Sequence, residues 1–300
     1  MEGEAKEEMY NQLPPGTYPN TVYISPSESI PGIKEKINLN KIKYPFAVKP
    51  NVGMMGFMFR KIESEEELVK YHSKIPVNYV LQELIKYPVE VSVFYYRLPN
   101  EQSGTISGFI KKDGPFVTGN GNSTLGELIE NFPSIRLKQD EMRLRHKKKL
   151  DHILEKGEKF HLSYASNRSQ GGKIIALEHE IDEKLLHFFD NISHYSRHFY
   201  YGRYDIKCAS VEDLKEGKNF SILEYNGSGS GTQQVYGNGN SLIKASRIIL
   251  KHWEMLYKIS KYNNENGFKY WSFWEGLKFL HGAKKNLKML KDLDAQFPSF

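Results

Sequence analysis

Apolar positions along the chain change period several times, and the changes mark the elements. Val89–Tyr96 and Thr105–Lys111 alternate in the two-residue step of strands, and the second is expected to pair back on the first. Shorter strand-like runs are Thr21–Ser25, Tyr44–Val48, Phe57–Arg60, Tyr79–Leu84, Phe160–Ala165, Lys173–Glu178, Tyr204–Ala209 and Phe220–Tyr225. Helices are expected over Gly3–Leu13, Glu63–Tyr71, Leu125–Asn131, Gln139–Lys156 and Asp182–Phe199, and from Ser241 to the end. Ser64 with Glu67, and Thr124 with Glu127, have the spacing of a capping box, in which a hydroxyl and a carboxylate satisfy each other's end of the first turn. No repeat is visible. The pattern predicts an α+β chain whose middle is an antiparallel sheet.

Composition narrows the class. With 300 residues, 39% of them hydrophobic, the chain is long enough for a sizeable core, and its 19 Tyr and 17 Phe argue against disorder. Cys208 is the single cysteine, so no intramolecular disulfide forms, and no secretory pattern opens the chain; a cytoplasmic protein is expected. The longest apolar stretches fall far short of the roughly 18–20 residues that cross a bilayer. A net charge of +6 is small for this length, and no nucleic-acid partner is expected.

Four features carry candidate chemistry. Lys49 closes an apolar strand just before the glycine-containing loop Asn51–Gly56, which brings a cation beside backbone able to close over a polyphosphate. Gln82, Glu83, Leu84 and Ile85 end one strand and Glu90 begins the next, so a linker offers backbone to a purine edge and a carboxylate to a ribose. Within Gly202-Arg203-Tyr204-Asp205 and Leu223-Glu224-Tyr225-Asn226 the two-residue step puts Arg203 with Asp205, and Glu224 with Asn226, on one face. Two carboxylates and an amide oxygen are the hard donors that Mg²⁺ takes. Asn226-Gly-Ser-Gly-Ser-Gly231 follows, where backbone amides and the Ser228 or Ser230 hydroxyl meet an anion. Each feature alone also reads as ordinary surface.

Together they resemble the ATP-grasp superfamily of carboxylate–amine ligases. Gly-Arg-x-Asp followed by Leu-Glu-x-Asn is similar to its D-alanine–D-alanine ligase branch. Val117–Ile129 and Ala165–Gly172 are similar to the cyanophycin synthetase branch. The resemblance implies two α+β subdomains clasping ATP, with Lys6 and Lys49 as the nucleotide lysines and Lys49 and Arg203 catalytic. Met55, Gly56 and Asn167 fall in segments that line the nucleotide. Gln82, Glu83, Leu84, Ile85 and Glu90 take the adenine and ribose positions, and Asp205, Glu224 and Asn226 hold Mg²⁺, or Mn²⁺ in its stead. ATP with a small carboxylate and an amine are the implied substrates. The alternatives are a regulatory ATP-binding module and a kinase of the same fold. Only Met1–Ala5 precede Lys6, so the family's own N-terminal domain is expected to be missing. Expected units are 1–82, 83–245 with the metal site, and a helical extension over 246–300; the sequence does not fix the oligomeric state, a dimer being the one form considered.

Two further signals stand apart. His194 and His198 have helical spacing without a third ligand, and read as a helix surface. The tail from Tyr270 to Leu280, followed by Lys284, Lys285, Lys288 and Lys291, reads first as a helix packed on the core and second as a surface for a membrane or a partner.

Overall fold

The computed structural model describes residues 4–53, 56–163, 171–236 and 240–297. Two antiparallel sheets with helices against them make up most of it, the α+β architecture expected. The first sheet has the order β1 (Thr21–Ile24), β4 (Tyr79–Glu83), β2 (Phe46–Pro50), β3 (Arg60–Ile62). Helices α2 (Ile30–Leu39) and α3 (Glu65–His72) cover it, burying Ile33, Ile37, Leu68 and Tyr71 on Phe46, Val48 and Leu81. The Ser64 hydroxyl caps α3 by accepting from the Glu67 N–H, but the reciprocal half of the expected capping box does not form, because the Glu67 carboxylate accepts instead from the Glu63 N–H at 2.7 Å. Helix α2 is additional to the expected elements, although its signals are ordinary: Ser29 accepts from the Gly32 N–H, Pro31 lies in the first turn, and Ile33 and Ile37 are one turn apart.

The second sheet has the order β11 (Phe220–Asn226), β10 (Tyr201–Cys208), β5 (Val89–Tyr96), β6 (Thr105–Asp113), β9 (Lys173–Ala176). Strand parity divides its two faces. Val91, Val93, Tyr95, Tyr204 and Ile206 point into a core closed by α1 (Lys6–Tyr10), α6 (Glu183–Tyr195) and α7 (Val211–Lys215). Met9, Tyr10 and Leu13 therefore pack on the second sheet, although they precede the strands of the first. On the other face Phe94, Tyr96 and Tyr201 lie under Met255 and Ile259 of α8 (Leu242–Glu265). Next to them on that face the residues turn polar.

Gly267, at φ +99°, reverses the chain after α8, and α9 (Phe273–Gln296) returns to the first sheet. There Leu290 is fully buried, and Asp294 accepts from the Met58 N–H and from Arg60 Nη1, each at 2.8 Å. The two long helices thus pack on different sheets.

Between β6 and β9 a small unit is built from β7 (Phe116–Thr118), β8 (Lys159–His161), α4 (Leu125–Glu130) and α5 (Gln139–Arg145) around Val117, Leu125, Ile129 and Met142. Thr124 and Glu127 form the expected capping box. The helix expected over Gln139–Lys156 stops at Arg145. Beyond it the Leu150 and His152 carbonyls accept from the Gly126 and Leu125 N–H groups, which open α4 and have no partner inside it. The strand expected at Phe57–Arg60 begins instead at Arg60, because Met58 takes φ +57°. Helix α6 ends at Tyr195, so His198 does not share a helix with His194.

Candidate functional site

The polar part of the second sheet converges on one carboxylate. Asp205 and Arg203 share a face of β10, and the Arg203 guanidinium grips Asp205 with Nε and Nη2, each 3.0 Å from a carboxylate oxygen. Lys112 Nζ of β6 is 2.9 Å from Asp205 Oδ1, the Ser92 hydroxyl of β5 donates to the same oxygen, and Asn226 Nδ2 of β11 donates to Oδ2 at 3.3 Å. Burial alone would raise the Asp205 carboxyl. Lys112 and Arg203 outweigh it and hold the group well below the usual carboxylate range, so it is ionised at any working pH. Cα register places Arg203 opposite Asn226, and Asp205 opposite Glu224. Sequence parity put Arg203 with Asp205, and Glu224 with Asn226, on one face of each strand; the cross-strand register is what the structure adds, and it brings the four residues together. Gly202 is required beside them, since a Cβ there would meet the Tyr225 ring at 2.5 Å.

A bulge then links this face to the first sheet. Pairing passes from Asp205–Glu224 directly to Ile206–Ile222, so Leu223 is the extra residue of β11. Its carbonyl accepts from the Tyr10 hydroxyl of α1 and from Lys49 Nζ of β2, the latter at 3.4 Å. Tyr10 also lies 3.4 Å from Gln82 Oε1, and Gln82 donates to Thr21 at 2.7 Å. Gln82 is thereby committed to holding β1, β4 and α1 together, whereas Glu83 at the end of β4 is exposed. Leu84 and Ile85 lie in the connection to β5, with Glu90 in its first turn of ladder opposite Lys207.

Lys6 opens α1, and its main-chain N–H donates to the Asn51 carbonyl at 3.0 Å. Its ammonium lies 3.3 Å from the Gly53 carbonyl and 4.0 Å from Glu224 Oε1. Burial lowers the Lys6 ammonium to about 8, against the attraction of Glu224 and with a small push from Lys49. Burial lowers Lys49 as well. Lys6, Lys49, Lys112 and Arg203 therefore meet the carboxylates of Asp205 and Glu224 with an excess of two positive charges in a largely dry site. Such a place suits a polyanion. Ser230, in the glycine-rich loop, has a buried hydroxyl with no hydrogen-bond partner among the described residues, a donor ready for a ligand oxygen. Arg203 Nη1 holds the same loop through the Gly231 carbonyl at 3.2 Å.

Among the described residues no three His, Cys, Asp or Glu side chains are placed to hold a metal ion, so a cation here needs Asn226 as its third ligand. Asp205, Glu224 and Asn226 fit Mg²⁺ in donor chemistry. Both Asp205 oxygens already accept hydrogen bonds and the surroundings are positive, so a cation fits when it comes with phosphate. Gly56, at φ +75°, borders the loop expected to close over the nucleotide. Met55 and Asn167, two expected ligand-lining residues, lie outside the described residues. Beyond Tyr225 and Gly227 opens a cleft of about 670 Å³, bounded by Glu4, Phe199, Ile259 and Trp271. Ser92, Lys112 and Tyr10 were not among the expected site residues. Ser92 shares the parity of Phe94, and Lys112 that of Ile110, which is the one signal that singles them out.

No protein-family model and no curated protein matches the chain. Solved structures do. A D-alanine–D-alanine ligase from Bacillus anthracis is similar over 87% of this chain and 67% of its own, at 14% identity and a TM-score of 0.46. A bifunctional glutathione synthetase from Pasteurella multocida is similar over 83% of this chain and 35% of its own (14%, 0.43). The D-Ala:D-Ser ligase of Enterococcus faecalis is similar over 79% and 57% (14%, 0.42). The chain spans between about a third and two thirds of the length of these three.

Proposed function

We propose that the chain is an ATP-dependent carboxylate–amine ligase of the ATP-grasp kind. The observation that carries this reading is the cationic cluster that both sheets build, with Lys49 and Lys6 facing Arg203, Asp205 and Glu224 across the Leu223 bulge. The linker at Glu83, Leu84 and Ile85 joins the sheets where a purine edge would meet backbone, and Glu90 is the carboxylate for the ribose.

In the reaction a substrate carboxylate oxygen attacks the γ-phosphorus of ATP and ADP leaves, giving an acyl phosphate. The nitrogen of an amine then attacks the acyl carbon, loses its proton, and inorganic phosphate departs as the amide forms. Lys49 and Lys6 neutralise phosphate oxygens as charge shifts to ADP. Arg203, oriented by Asp205 and with two further N–H bonds that have no partner among the described residues, stabilises the transferring phosphoryl group. Asp205, Glu224 and Asn226 would hold Mg²⁺, which supplies further charge neutralisation on the phosphates. No protein nucleophile is required.

ADP release from MgATP, with and without pooled amino acids and short peptides, tests the reading. Glu224→Gln is the control, because the Glu224 side chain is 37% exposed and its loss spares the fold. Amine-dependent ADP that vanishes in the variant is the expected result. ADP formed without an amine, with a phosphorylated product that persists, would make the chain a kinase. Nucleotide binding without turnover in any pool would make it a regulatory module.

A further inference from the structure

The hairpin of α8 and α9 does more than pack on the sheets. On α8 the buried residues His252, Met255 and Ile259 occupy one side, while Ile243, Leu250, Trp253 and Tyr257 recur at helical spacing on the opposite side and are exposed. The turn and the start of α9 continue this apolar surface: Trp271 is 63% exposed, Phe273 72% and Trp274 75%. Soluble surfaces rarely carry so many large aromatics together without a purpose. Charge is concentrated in the same segment. Residues 241–300 hold eleven Lys and Arg against five Asp and Glu, an excess of six that equals the net charge of the whole chain. The other 240 residues are electrically balanced.

We propose that this hairpin docks on the surface of an anionic lipid bilayer, lying in the headgroup layer with the aromatics at the acyl boundary and the lysines on the phosphates. Two features favour lipid over a protein partner. Ten of the eleven cations are Lys, the residue depleted at protein interfaces, and only Arg247 is Arg. The apolar side is led by Trp and Tyr, whose amphipathic rings settle at the membrane interface. Among the described residues no helix is long and apolar enough to cross a membrane, so the contact is peripheral. The inference is independent of the ligase reading.

All three tryptophans of the chain, Trp253, Trp271 and Trp274, are in the hairpin, so selectively excited tryptophan emission reports on it alone. The experiment is co-sedimentation of the full chain with vesicles of phosphatidylcholine alone or with phosphatidylglycerol added, read together with tryptophan emission. The expected result is binding at least about tenfold stronger to the anionic vesicles, weakened by salt, with a blue shift of emission. Two variants, Phe273→Ser with Trp274→Ser and Lys284→Glu with Lys288→Glu, should each lose most of that binding while keeping the circular dichroism spectrum of the parent. Equal binding to both vesicles, or no shift of emission, overturns the proposal. So does a dimer in sedimentation velocity that the aromatic variant dissolves, which would assign the surface to a second copy of the chain.

Discussion

Two populations of basic side chains meet opposite fates in this molecule. Lys6, Lys112 and Arg203 are buried and Lys49 is half-buried, each held within reach of a named carboxylate or carbonyl. The lysines of α8 and α9 stand in water, paired among the described residues at most with a neighbour one turn away, as Lys258 is with Glu254. The comparison teaches that charge by itself decides little. Removal from water makes a few cations strong at contact range, whereas the exposed ones act only as a field over several ångströms.

The contrast is broken most severely at Asp205. Asp205→Asn strands Lys112 and Arg203 without their counter-charge, and urea unfolding should show a loss of roughly 3–5 kcal/mol. His252 comes next. Burial, and then Lys251, lower its imidazole to about 4, and it is neutral while bonded to Tyr201 at 3.0 Å and Gln234 at 3.2 Å. Its pKa lies below the ordinary 6.5 of an unfolded chain, so its contribution is complete above about pH 6.5 and is lost as pH falls towards 4. That loss amounts to up to about 3 kcal/mol. Thermal unfolding across that window should show it, and His252→Gln should flatten it.

Lys49→Ala should weaken nucleotide binding by about ten- to a hundredfold, the worth of one hydrogen bond to a charged group, with little change in stability. Lys6 sharpens the comparison through protons. Its ammonium lies at about 8, and a phosphate beside it raises that value. Nucleotide binding near pH 8.5 should therefore take up a fraction of a proton, and below pH 7 none. Calorimetry in buffers of different ionisation enthalpy measures the difference, which Lys6→Met should abolish. At the other extreme, Lys284→Ala with Lys288→Ala should change stability by no more than about 0.5 kcal/mol.

Much of this arrangement was legible in the sequence, for reasons that differ from one residue to another. Strand parity is a local property, so the pairing of Arg203 with Asp205 and of Glu224 with Asn226 could be read directly, as could the ends of β5. A bulge is a property of two strands together. Nothing within Phe220–Asn226 announces that Leu223 will be skipped, and so the bridge from its carbonyl to Tyr10 and Lys49 stayed hidden. Lys112 was obscured by Lys111 beside it, since choosing the inward one needs the register of β6 on β5. The overlong helix at Gln139–Lys156 has a similar cause: its end is dictated by the unpaired N–H groups of α4, a tertiary demand that side-chain periodicity does not contain. The structural weight of Asp205 is equally hidden in the sequence, because its partners Ser92 on β5 and Lys112 on β6 are distant from it along the chain.

The convergence on Asp205 has a meaning for how the chain finds its shape. Antiparallel backbones accept many alignments, but a slip of one residue turns every side chain to the other face. If β6 slipped by one residue on β5, Lys112 would be driven into the apolar core beside Val93 while Phe109 was turned out of it, and the carboxylate would lose a cation. Ser92, Lys112, Arg203 and Asn226 each come from a different strand, and only one alignment satisfies all of them. The cluster acts as a spelling check on four strands, so a chain that has paired them wrongly has also failed to assemble its site.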